Sequence, residues 1–241
     1  MADFKTHIGT STVLGIGYGA AGHYYLGLPP STCALAAGLC SVSGMLPDLD
    51  SDSGVPVRET VSFAAAIVPM LMIDRFMSMG LNHESIALAG GLIYLIVRFG
   101  IGGLFKRYTV HRGMWHSIPA AVSAALLAFL ACSCEDMNSR LFKASAVGIG
   151  FLSHLLLDEL WSVSFKRFVP RLKKSSGTAF KLWGDNRWAN FSTYAKLALL
   201  MVLALGDPLL MNWLGYHDHG LPQFADKWVM ESKEPTDNVV R

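Results

Sequence analysis

Charge is scarce in this 241-residue sequence: 20 Lys and Arg and 18 Asp and Glu make up 16% of the chain, for a formal net charge of +2. So small an excess argues for no nucleic-acid partner, and none is expected. Cysteine is scarce too. Cys33, Cys40, Cys132 and Cys134 form no Cys-x-x-Cys pair, which speaks against a disulfide framework or a zinc knuckle and leaves packing as their role. The start, Met1-Ala2-Asp3-Phe4-Lys5-Thr6-His7, lacks the basic region and small-residue cleavage site of a signal peptide, so the first apolar segment is expected to be retained. Gly-x-Ser-x-Gly, His-Glu-x-x-His and P-loop motifs are missing. Serine hydrolase, zincin protease and nucleotide-driven readings lose their support accordingly. No internal repeat or low-complexity run is present.

Apolar sequence is abundant. Hydrophobic residues make up 52% of the chain and the mean hydropathy is +0.37, above the balance of a soluble domain. Seven apolar segments account for the excess, at about 10–28, 32–46, 60–79, 85–105, 117–133, 141–163 and 193–214. The fifth opens on Ser117-Ile118-Pro119, which suits a helix start with proline in the first turn. A spanning helix needs about 20 apolar residues, so 32–46 and 117–133 are borderline. The expected architecture is all-α: a multi-pass transmembrane helical bundle over residues 1–215, with a polar tail at 216–241.

If each segment crosses once, chemistry-bearing residues sort to one side. The N-terminal side receives Lys5, Arg58, Lys106, Arg107, Arg112, Lys166, Arg167, Arg171, Lys173 and Lys174, while the opposite turns offer little beyond Arg75, Arg140 and Lys143. The positive-inside rule makes the N-terminal side cytoplasmic. The same count gathers His7, Asp48, Asp50, His111, His116, His154 and Asp158 at that face.

Three motifs carry the chemistry. His154 and Asp158 stand four apart within an apolar stretch, so on a helix they share a face. Buried in a membrane helix they need a partner, either a metal ion or each other. Asp48 and Asp50 in Leu-Pro-Asp-Leu-Asp can turn toward one ion, bridge two, or form a solvated acidic loop. In His-Arg-Gly-Met-Trp-His-Ser (111–117), His111 and His116 flank Arg112 and Trp115. Neutral imidazoles suit zinc, iron or nickel, and carboxylates extend the choice to manganese and magnesium. Arg112 could clamp a phosphate with its planar fork or serve as a topology anchor. Trp115 reads as an interfacial belt residue and Asp74-Arg75 as an interfacial ion pair. His23 reads as a hydrogen-bonded packing residue, and His217-Asp218-His219 as tail.

In order along the chain, His-x-Gly (7–9), Leu-Pro-Asp-Leu-Asp (46–50), His-Arg-Gly-x-Trp-His-Ser (111–117) and Ser-His-Leu-x-Leu-Asp (153–158) resemble the membrane-bound metal-dependent hydrolases. These are the YdjM-like proteins, described as LexA-binding inner-membrane hydrolases; no feature of this sequence supports the LexA association. The resemblance covers about residues 1–165. It implies a metal-dependent hydrolase site built from His7, Asp48, Asp50, His111, His116, His154 and Asp158. A looser similarity, chiefly the His-x-x-x-Asp helix, links the pattern to zinc-dependent phospholipase C enzymes.

Such a cluster could hold two or more divalent ions, and paired ions about 3.5–4 Å apart suit in-line displacement at phosphorus. The expected activity is hydrolysis of a membrane-borne phosphoester, phospholipid-like, by metal-bound hydroxide, with Arg112 as the catalytic side chain. Zinc is the first choice of ion, then manganese, iron or magnesium. Two rivals belong to other classes. A cation or proton transporter would carry polar groups at mid-membrane depth in several segments. A metal-stabilised scaffold would have a closed ion site.

Overall fold

Helix start and stop signals account for most of the observed boundaries. A computed structural model describes residues 3–50, 54–101, 114–132, 134, 136–166, 169–172 and 180–216. Helix α1 runs Phe4–Leu26, capped by the Asp3 carboxylate, which accepts from the Thr6 amide at 2.9 Å. It ends at Gly27, whose φ of 66° lies in the left-handed region open to glycine. This start precedes the expected one at 10, because the cap adds a polar first turn that an apolar window overlooks. That turn carries His7. Helix α2, Pro30–Ser43, has proline in its first turn and leads into a 3-10 turn, Leu46–Asp50.

Helix α3 spans Gly54–Leu71 and α4 spans Ile73–Ser78. Helix α5, His83–Leu95, continues as a π-helical stretch, Ile96–Ile101. Helices α6 (Ile118–Ala131) and α7 (Met137–Ser162) follow. Next comes an antiparallel hairpin of β1 (Val163–Lys166) and β2 (Val169–Leu172), with Val163 opposite Leu172. The seventh apolar segment is two helices, α8 (Arg187–Leu205) and α9 (Pro208–Trp213), because Asp207 and Pro208 start a new helix.

Among the described residues, three stretches are long and apolar enough to cross a membrane: Thr60–Ser78, Met137–Trp161 and Arg187–Leu205. The other segments of the seven-crossing expectation do not meet both criteria; Ile118–Ala131 is a shorter apolar helix. Helices α2 and α6, of 14 residues each, reach only about 21 Å at 1.5 Å per residue, less than a bilayer core of about 30 Å.

Helix α7 is the axis of the bundle. Its spanning window is 56% buried, against 22% for Thr60–Ser78 and 11% for Arg187–Leu205. Phe151 and Leu155 pack with Leu39 of α2 and with Ala120, Ala121 and Ala124 of α6. Two glycines allow close approach where a Cβ would collide: Gly22 of α1 lies on the Phe142 ring, and Gly150 of α7 lies on Cys40 and Ser43 of α2. Tyr18 stacks on Phe142 at 4.2 Å and donates to its carbonyl at 3.1 Å.

Near the start of α7, Arg140 is 1% exposed and binds Asp207 through both terminal nitrogens, at 2.9 and 2.7 Å. Its Nε donates to Phe129 O at 2.9 Å, and the guanidinium lies 4.1 Å from the Phe129 ring centroid. Asp207 in turn accepts from the Leu209 and Leu210 amides at the start of α9. Arg75, expected to pair with Asp74, reaches Asp207 at 3.5 Å. One buried carboxylate thus joins α4, α7 and the α8–α9 elbow.

Burial pushes the Asp207 carboxyl up, but the Arg140 guanidinium more than reverses this and holds it below the ordinary carboxylate value. A depressed folded value means that the pair stabilises the fold above the unfolded value of about 3.9 and that this stability is lost as pH falls through the lower, folded value. Asp207→Ala should cost about 3–5 kcal/mol by stranding a buried guanidinium, read as a lowered midpoint in detergent unfolding. Asp207→Asn should flatten the acid limb of the stability profile; an unchanged acid limb would show that the pair does not govern it.

Candidate metal centre

Four chain segments deliver side chains to one end of the bundle. His7 comes from the first turn of α1, Asp48 from the 3-10 turn, His116 from the residues before α6, and His154 and Asp158 from the last third of α7. Five of the seven expected metal residues therefore converge. The Asp50 side chain, His111 and Arg112 lie outside the described residues, as does His217-Asp218-His219. His23 is elsewhere, its Nδ1 3.0 Å from Leu28 O, in the packing role expected of it.

His154 is fully buried, and its Nδ1 lies 2.7 Å from the Gly44 carbonyl oxygen. A carbonyl only accepts, so Nδ1 carries the proton and the neutral ring keeps its lone pair on Nε2. That nitrogen has no hydrogen-bond partner. It faces Asp48 Oδ1 at 3.6 Å and Asp158 Oδ2 at 3.7 Å. His7 stacks on His154 with ring centroids 3.7 Å apart and planes 12° from parallel. Its Nε2 stands 3.4 Å from Asp158 Oδ1. His116 Nε2 lies 3.9 Å from Asp48 Oδ1.

These separations bear on the two readings of the His–Asp helix. A charge-assisted hydrogen bond would bring nitrogen and oxygen to about 2.7–2.9 Å. Donors about 2.0–2.2 Å from a shared zinc ion stand about 3.0–3.5 Å from one another, so the observed pairs need contract by only a few tenths of an ångström. A buried lone pair facing two carboxylates is repulsive unless a cation lies between them. The donor set fits a divalent ion.

Two triads satisfy the geometry: His7, His154 and Asp158, and Asp48, His116 and His154. Both use His154, and Nδ1 is committed to Gly44. The one remaining nitrogen, Nε2, can serve either triad.

Burial raises the Asp48 carboxyl, but His116, His154 and His7 outweigh it and hold the group below its ordinary value. Asp48 is therefore a carboxylate at neutral pH. It is also the most accessible of the five, with its side chain 18% exposed against 10% for Asp158 and less for the imidazoles.

Ser11 and Gly44 support the site, have no ionisable group and escaped the motif search. A Cβ on Gly44 would lie 2.5 Å from Ser11, so glycine lets α1 press against the end of α2. Ser11, four residues after His7 on the same helix face, donates to Ser41 O at 2.7 Å. Gly44 was legible as a glycine following a helical run, although not as the acceptor for His154. Trp115, expected in the interfacial belt, instead turns its indole inward and donates to Leu46 O at 2.7 Å.

No curated protein and no solved structure matches the chain. One family description does, that of the YdjM inner membrane protein, over residues 1–216. That match takes in the whole bundle and all five converging donors, and the chain belongs to the YdjM inner membrane protein family.

Proposed function

We propose that the chain is a metal-dependent hydrolase acting on a phosphoester carried by a membrane lipid, with its site at the cytoplasmic headgroup level. The observation that carries this reading is the buried Nε2 of His154, without a hydrogen-bond partner, facing two carboxylates beside two further imidazoles. His7, His116, His154, Asp48 and Asp158 would hold the ion, zinc being the best match to three imidazoles. When bound, a divalent ion supplies Lewis acidity toward a phosphoryl oxygen and brings the pKa of water toward neutrality.

The chain's own residues supply position and access. Trp161, one turn beyond Asp158, is exposed, as are Trp183 just before α8 and Trp188 and Phe191 at its start. Aromatic residues of this kind collect at the membrane–water boundary, which sets the donors within about one helical turn of it. A substrate arriving past Asp48 would present a headgroup at that depth. Arg112, in the segment leading to His116, is the candidate for binding a phosphoryl oxygen. The transporter reading finds less support, because α7 carries no ionisable residue from Ala144 through Ser153. A relay through its centre has no stepping stones.

Elemental analysis of detergent-purified protein should find about one tightly held divalent ion per chain, lost when His154→Ala removes the central lone pair. Wild-type protein that takes up no ion after gentle purification and reloading would sink the hydrolase reading. Zinc-loaded wild type should also release a phosphorylated headgroup or phosphate from mixed phospholipid micelles, and Asp158→Asn should not. Reporter fusions should place the N-terminus in the cytoplasm; a periplasmic N-terminus would overturn the assigned face.

A further inference from the structure

We infer that Trp115 is a positioning residue that sets the Asp48–His116 half of the metal centre. The inference rests on the metal reading of the site. The two residues in question come from separate segments, Asp48 from the 3-10 turn and His116 from the residues just before α6. Trp115 ties those segments together. Its indole N–H donates to the carbonyl of Leu46, two residues before Asp48, and the next residue along its own chain is His116.

The surroundings make this a strut with little play. The Trp115 ring meets Phe151 of α7 edge-on, with centroids 6.2 Å apart, and packs against Val61 of α3 and Leu46. Phe151 lies one turn before His154 on α7. On its other side the segment is held through Met114, which is buried where Gly184 approaches. Gly184 is clamped in turn by Asn190, whose amide bonds both its N–H and its carbonyl at 2.8 Å. The Ser117 hydroxyl receives the Ala120 amide and starts α6. His116 is thus carried on a short, braced bridge, and the indole hydrogen bond ties that bridge to the Asp48 turn.

A ring that merely filled space would not need its N–H aimed at this carbonyl. Losing the bond frees the 3-10 turn to shift relative to His116, and a few tenths of an ångström decides whether Asp48 and His116 can share an ion. The other half of the site, His7, His154 and Asp158, is set by α1 and α7 and does not pass through Trp115.

The test compares wild type, Trp115→Phe and His154→Ala in detergent, each stripped and reloaded with zinc alone against a chelator of known affinity. Cobalt absorption spectra report coordination geometry. Trp115→Phe keeps an aromatic ring against Phe151 and loses the donor. It should bind zinc about 10–100-fold more weakly, as loss of supporting contacts around a metal does, with an altered cobalt spectrum and a metal-free unfolding midpoint near that of wild type. Zinc affinity within about threefold of wild type, or a lowered metal-free midpoint with unchanged affinity, overturns the role. If Trp115→Phe does not fold, a benzothiophene isostere of tryptophan at 115, which keeps the shape and lacks the N–H, decides the matter by the same readings. The two failures separate cleanly. If wild type binds no zinc, the metal reading falls and this inference with it; if wild type binds, His154→Ala does not and Trp115→Phe binds normally, only the role of Trp115 falls.

Discussion

The hydrogen bond from His154 to the Gly44 carbonyl is the contact on which the site depends. It buries an imidazole completely in an apolar helix and still leaves one nitrogen available. Without a fixed acceptor, either nitrogen could carry the proton and the ring could turn; with it, the tautomer is set and Nε2 is aimed at the carboxylates. Everything that holds Gly44 in place bears on that geometry. Ser11 of α1 fits against Gly44, and Gly150 lets α7 lie directly on the end of α2. Small residues on three helices thus serve one polar contact.

Helix α7 also illustrates how an apolar helix carries charge. Its ionisable groups are confined to its two ends. Arg140 near the start is neutralised by Asp207, stacked on Phe129 and bonded to that residue's carbonyl. His154 and Asp158 near the finish meet His7, Asp48 and His116. The middle is small and aliphatic and packs tightly against α2 and α6. Burying charge in a hydrocarbon setting is costly, and Arg140, His154 and Asp158 each stand beside a partner of opposite sign or a ligand-compatible set. The end with the guanidinium is closed by direct ion pairing and holds the fold together. At the opposite end the nitrogen–oxygen separations of 3.4–3.9 Å exceed those of a charge-assisted hydrogen bond, which is why a metal ion is proposed there.

Much of the site was readable before any coordinates. His154 and Asp158 declare a shared face by their spacing of four, and alternation of the apolar segments sorts His7, Asp48 and His116 to the same end as that pair. Crossing count was less legible. Hydropathy windows merge α3 with α4 and α8 with α9, because Met72 and the Gly206-Asp207 step interrupt the helices without interrupting apolar character. The same windows miss the polar first turn of α1, whose Asp3 cap is a side-chain signal. Trp115 was misread for a related reason: tryptophan near a helix start fits a membrane belt by composition, and only its indole hydrogen bond shows which way it points.

By itself the sequence determined the helical, membrane-embedded class and which residues are candidate donors, because hydrophobic periodicity and motif spacing are local properties written along one chain. Tertiary structure alone decided which donors meet and how. The choice of His154 tautomer, the stacking of His7 on His154 and the inward turn of Trp115 all rest on contacts between residues distant in sequence, such as Gly44 and His154. Such contacts depend on how closely helices approach, and that is set by where each Cβ is missing, a matter of three-dimensional fit that no spacing along the chain encodes.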